Sequence, residues 1–184
     1  MRKVVQYICR LFSVYKLFLY EVDVETVEHT YIQTSTDYKV TFQRVDTSNY
    51  KLVSNISGES LGNVKRMLSY KDYGVFVCVN GKPVGYGWLK EEGSKDAFFS
   101  FENCAYLCRV YVHPYYRGMN LYPMTIKYLV DSYKSKYSKF YLAIEHKNQA
   151  SIKGAAKIGF KQIKDLTFVR ILRYTFNKCK ITTL

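Results

Sequence analysis

At 184 residues, 48% hydrophobic and 23% charged, the chain is long enough to fill one domain core and too apolar for a disordered segment. Its net charge of +13 favours anionic partners such as a phosphorylated cofactor, nucleic acid or an acidic membrane surface. Five cysteines without a second pair at zinc spacing, and three scattered histidines, argue against a metal site and for reduced thiols in a cytoplasmic protein.

Residues 1–20 place Val4, Ile8, Leu11, Tyr15 and Phe18 at helical spacing among Arg2, Lys3, Arg10 and Lys16. Such a basic amphipathic helix either docks on its own domain or makes peripheral contact with an anionic membrane. The stretch from Lys16 onward also alternates well enough to be a strand. No apolar run reaches membrane-spanning length, and no small-residue cleavage site follows the N-terminal run, so neither secretion nor membrane spanning is expected. The division expected is an extension over 1–37, a basic helix and a strand packed on the body, followed by one domain over 38–184.

Within that domain, 38–45 alternates as a strand. Residues 47–70 read as one or two helices, with Thr47 and Ser48 available as caps. Two apolar runs flanking Asn80-Gly81 form a hairpin. Residues 97–112 read as one long strand with a bulge, and a helix follows over 121–137. A strand over 139–145, a helix over 149–158 and a β-rich tail complete the order. The fold class is mixed α/β.

The segment "HPYYRGMNLYP" (113–123) joins the long strand to the helix. Pro123 suits a first helical turn, and Asn120 suits both the cap and a positive φ. Arg117 just before a positively polarised helix end outlines an anion clamp. From Arg117 to Lys164, ten lysines and arginines meet only Asp131 and Glu145, so the basic excess concentrates on and after this loop. In "NQASIKGAAKIGF" (148–160), Asn148 can cap a helix whose narrow face carries Ser151, Gly154, Ala155 and Ile158.

These two segments, with "NGKPVGYGWL" before them, resemble the GNAT superfamily of N-acetyltransferases over roughly residues 38–175. The resemblance implies a central, mostly antiparallel twisted sheet with flanking helices, in which two parallel strands, 104–112 and 139–145, splay apart after a bulge. It implies transfer of an acyl group from acetyl-CoA, as co-substrate, to a small amine. Val110, Tyr111 and Val112 would meet the pantetheine arm. Arg117, Gly118, Met119, Asn120, Leu121 and Tyr122 would hold the pyrophosphate, and Asn148 and Ser151 would touch the pantetheine region. Two departures stand out: Asn120 and Tyr122 replace small residues of the family's loop. The family's tyrosine seven residues after the asparagine, an acid toward the leaving thiolate, is Ala155 here.

Proton transfer from the attacking amine needs a base. Tyr106, on the first splayed strand, and Glu145, ending the second, are the catalytic candidates. Glu102 and His113 are further options, and Tyr86 and Trp88 are expected either in the acceptor cleft or in the core. The basic leader resembles those of acetyltransferases of surface-polysaccharide pathways, which implies an amino-sugar acceptor. No specific nucleic-acid partner is expected. The rival readings are an N-acyl or aminoacyl transferase with a longer acyl donor, and a non-catalytic polyanion- or membrane-binding protein.

Overall fold

The structure is a computed structural model and describes residues 12–33, 37–94, 99–171, 174–176 and 179–181. Its strands are β1 (Phe12–Asp23), β2 (Val40–Arg44), β3 (Tyr73–Val79), β4 (Lys82–Lys90), β5 (Phe99–Phe101), β6 (Cys104–Val112), β7 (Lys139–Glu145), β8 (Lys161–Ile171), β9 (Tyr174–Phe176) and β10 (Cys179–Ile181). Its α-helices are α1 (Val24–Glu28), α2 (Lys51–Ser57), α3 (Leu61–Ser69), α4 (Leu121–Tyr133) and α5 (Gln149–Ala156).

Eight strands form one sheet in the order β2-β3-β4-β6-β7-β1-β8-β9, and β5 pairs with β10 apart from it. Every pairing in the large sheet is antiparallel except that of β6 with β7. One face carries Trp88, Phe76, Tyr106 and Tyr141 beneath α2 and α3. The other carries Leu107, Phe140 and Leu142 beneath α4 and α5. Ile126, Leu129 and Val130 of α4 are fully buried against this second face, each contributing about 1.5–3 kcal/mol of hydrophobic stabilisation. The mixed, mostly antiparallel architecture expected from the sequence is present.

The N-terminal region departs from its helical reading. Residues 12–23 are a strand in the interior of the sheet, paired with β7 on one side and β8 on the other. The rest of the expected helix, including Val4, Ile8 and Leu11, lies outside the described residues. The strand wins at 16–22 because apolar residues serve both faces: Leu17 and Leu19 enter the first core cluster, Phe18, Tyr20 and Val22 the second. A helix would leave one of these sets in water, whereas a strand buried on both faces needs a continuous apolar run. In this part, the expected extension over 1–37 is a member of the sheet.

Elsewhere the corrections are local. The two helices of 47–70 start at Tyr50 and Ser60, and Ser60 Oγ accepts from Asn63 N–H at 3.5 Å. Thr47 and Ser48 cap neither. Ser48 instead closes a turn, its N–H donating to Asp46 Oδ1 at 2.7 Å. The long strand of 97–112 breaks at Asn103, which has φ 53°, into β5 and β6. The hairpin is as read: Asn80 and Gly81 both have positive φ (49° and 81°), the conformation of a tight right-twisted turn.

Candidate functional site

The site begins at a bulge in β6. Opposite Gly87 of β4, β6 spends two residues, Arg109 and Val110, and the register shifts there. Arg109 takes φ 49°, an uncommon conformation for a side chain of its size. Its guanidinium is held by Glu59 between α2 and α3, at 2.7 Å. Parallel pairing of β6 with β7 covers only Cys104–Leu107 against Lys139–Leu142. Past those residues the two strands part, while β7 stays paired with β1 as far as Glu145. The splay expected after a bulge is therefore in place, with Val110, Tyr111 and Val112 on one lip.

Below that gap lies a cavity of about 480 Å³ between β6, the loop before α4, and α5. All of the positions expected to bind the cofactor line it except Met119, which packs into the neighbouring core cluster and accepts Tyr38 O–H at 3.3 Å. The loop makes a 3-10 turn at Pro114–Tyr116, then passes through Gly118 at φ 85° and Asn120 at φ 55° into α4. A Cβ at Gly118 would meet nothing within 4 Å, so this glycine is needed for backbone conformation and not for space. Arg117 is exposed, its Nε donating to Val112 C=O at 3.4 Å.

Asn120 stands at the N-cap but makes no cap bond with its side chain. Its Nδ2 donates to Gln33 C=O at 3.0 Å, and its Oδ1 accepts from Lys157 Nζ at 2.7 Å. The N–H groups of the first turn of α4 thus receive no side-chain cap and face the cavity side with the positive end of the helix.

Tyr122 turns away from the loop. Its ring lies on α5, where a Cβ at Gly154 would come 2.6 Å from Cδ1, and its hydroxyl is directed toward Ser151. Burial pushes the phenol up to about 12, and Ser151 pulls weakly the other way. The bulky residue that replaces a small one in the loop therefore clears the helix end by occupying the space a glycine leaves on α5. The residues present fit a diphosphate-bearing cofactor, because a bare helix end, an open glycine and an arginine converge on one cavity. Asn148 caps α5, its Oδ1 accepting from Ser151 N–H at 3.2 Å.

The catalytic candidates separate. Glu145 is exposed at the end of β7, beyond the last β6–β7 pair. Tyr106 is buried in the sheet core opposite Tyr141, within the paired part of β6. Glu102 precedes β6 at its paired end, roughly 25 Å of extended chain from Val110. The His113 ring stacks on Tyr115 at 5.4 Å, while the residue's backbone N–H donates to Val84 C=O at 2.9 Å. Cys104 and Cys108 are buried, and burial pushes the Cys104 thiol up to about 12, which removes it as a nucleophile. Trp88 is fully buried and belongs to the core, not a cleft. Tyr86 is buried too, with its hydroxyl on Ser57 Oγ at 2.9 Å and its ring stacked on Tyr111 at 5.7 Å. The cavity also takes in Lys153 and Lys157, which the sequence does not distinguish from other surface lysines.

The half-open sheet, the uncapped start of α4 and the cavity between them set this end of the sheet apart from the rest. The chain belongs to the acetyltransferase (GNAT) family, whose model matches residues 44–160. No curated protein matches the sequence. Among solved structures it is similar to a Drosophila protein (12% identity, TM-score 0.65, covering 92% of this chain and 56% of that one). It is also similar to a GNAT acetyltransferase from Colwellia psychrerythraea (14%, TM-score 0.59, 87% and 56%). A third is the glucosamine N-acetyltransferase region of a fungal multi-domain β-N-acetylglucosaminidase (13%, TM-score 0.63, 90% and 22%). The chain spans little more than half the length of the Drosophila protein. No helix among the described residues is long and apolar enough to cross a membrane.

Proposed function

We propose that the protein is an acetyl-CoA-dependent N-acetyltransferase acting on a primary amine of a small molecule. The observation that carries this reading is the parting of β6 from β7 directly above the Arg117 loop and its cavity. Bound acetyl-CoA supplies the electrophilic thioester carbon. Arg117 and the first turn of α4 hold the pyrophosphate, and the Asn148 and Ser151 side of α5 meets the pantetheine. The backbone of Val110–Val112, which has no partner on β7, would bind the cofactor's amides, and an N–H that faces the gap would stabilise the carbonyl oxygen as it gains charge. The neutral amine forms the new C–N bond as the C–S bond breaks. Its surplus proton passes to water or Glu145, and the leaving thiolate takes a proton from solvent.

Glu145 is the base we retain, because it alone of the two candidates stands at the open end of the gap. Tyr106 serves the core beneath it. The acceptor we favour is an amino sugar, as in surface-polysaccharide synthesis. Its amine loses a proton easily and so suits a site whose base is exposed. The fold shared with a glucosamine N-acetyltransferase region agrees with this choice. A thermal-shift screen with acetyl-CoA and longer acyl-CoAs tests the donor, followed by mass spectrometry of glucosamine-type acceptors. Stabilisation by acetyl-CoA greater than by long-chain donors is expected. Preference for a long chain would favour an N-acyl transferase, and no shift with any donor would overturn the reading.

A further inference from the structure

Four of the lysines that follow the loop are neutralised away from the cavity. Lys127 meets Asp131, Lys134 meets Glu28, Lys136 meets Glu91 and Lys139 meets Glu21. Lys153 and Lys157 have no carboxylate partner among the described residues, yet both line the cavity. They sit one turn apart, Lys153 in the last turn of α5 and Lys157 at its C-cap, a like-charge spacing that costs an isolated helix a few tenths of a kcal/mol. The dipole of α5 favours lysine in its last turn but does not require both on this side. Lys157 is also positioned: Asn120 Oδ1 accepts from its Nζ at 2.7 Å, which brings the ammonium to the mouth beside the start of α4.

The charges decide what these lysines are for. A diphosphate diester carries about two negative charges. Arg117 and the half-charge of the α4 terminus nearly match it. CoA also carries a ribose phosphomonoester of −1.5 to −2, for which that wall has nothing left. Two ammonium groups without a carboxylate, Lys153 on the α5 side and Lys157 held at the mouth by Asn120, match it. We propose that Lys153 and Lys157 bind the ribose 3′-phosphate of CoA, with Asn120 as the residue that positions Lys157. The site then selects the phosphorylated cofactor over its dephospho form. This assignment rests on the acyl-CoA reading above.

Calorimetric affinities for acetyl-CoA and acetyl-3′-dephospho-CoA test it, in the native protein, in Lys153→Ala/Lys157→Ala and in Arg117→Ala. Both lysines are exposed, so the double variant keeps its fold, which the far-UV spectrum and melting temperature check. The native protein should prefer acetyl-CoA by about tenfold or more. The double variant should bind both donors nearly equally, and Arg117→Ala should weaken both while keeping their ratio. A preference unchanged in the double variant, or absent in the native protein while both donors still bind, overturns the lysine assignment alone. Failure of the native protein to bind either donor overturns the acyl-CoA reading and this assignment with it.

Discussion

Replacing Gly154 with alanine tests how the loop tolerates a tyrosine. The added methyl would lie 2.6 Å from Tyr122 Cδ1 and 3.0 Å from Cε1, where ordinary contact needs at least about 3.4 Å. The ring must therefore move by nearly 1 Å, and one open volume it can move into is the cavity that it already lines. Overpacking of this kind costs about 1–3 kcal/mol. Alanine in a helix interior returns about 1 kcal/mol relative to glycine. The net expectation is a loss of roughly 0–2 kcal/mol, or up to about 8 °C in melting temperature for a chain of this size. The larger effect falls on ligand binding, because the displaced ring narrows the path from the loop to the gap. A loss of acetyl-CoA affinity of about tenfold is expected by calorimetry. Adding Tyr122→Leu should restore much of it, a non-additivity that contact between the two positions demands. If Gly154→Ala raised stability by the full helix-propensity gain and left affinity unchanged, the packing argument would be refuted.

The buried pair of Lys90 Nζ and Asp72 Oδ2, 2.5 Å apart, is joined by Ser94 Oγ on Asp72 Oδ1 at 3.2 Å. Asp72→Ala should cost about 3–5 kcal/mol in urea unfolding, since it removes the carboxylate that faces a buried ammonium. Arg117→Ala should leave the melting temperature within a degree or two but weaken acetyl-CoA binding at least tenfold in calorimetry. Glu145→Gln should lower kcat most when the acceptor amine has a high pKa and least for an amino sugar, as read from pH–rate profiles. Alkali should unfold the protein early. The folded state keeps the Cys104 and Tyr122 protons up to about pH 12, while the unfolded chain releases them from about 8.5 and 10. Stability is therefore full below about pH 8.5 and falls as pH rises toward 12, by at most about 1.4 kcal/mol per pH unit per group. Cys104→Ala should flatten that fall in urea melts at pH 8 to 10.5.

The parts of the fold that the sequence discloses are those where backbone geometry restricts residue choice. Asn80-Gly81 names its turn, and Asn120 with Pro123 marks the start of α4, because few residues accept those conformations. The order of hairpin, loop and capped helix was enough to reveal the family. β1 was legible only from Lys16 onward, and there as one of two options, because its apolar positions also satisfy a helical spacing. A bulge in this strand was expected, but its place at Arg109 was not legible, because arginine is not a residue that signals a positive φ. Lys153 and Lys157 escaped because nothing local separates an unpaired lysine from one that finds a carboxylate across the fold. Trp88 and Tyr86 show the same limit, since an aromatic on an inner strand reads alike for core and cleft.

The interior position of β1 reaches beyond architecture. Where β6 releases β7, only β1 still holds it: Leu17 pairs with Glu145, and Phe18 with Ile144. One jaw of the gap is thus anchored by a strand that precedes it in the chain by more than a hundred residues. Such distant pairing is slow to form. The opening between β6 and β7 acquires its final width only when the earliest described strand meets one of the later ones. A lesion in that strand would therefore be felt as a site that fails to open correctly, even with every residue of the proposed cofactor site intact.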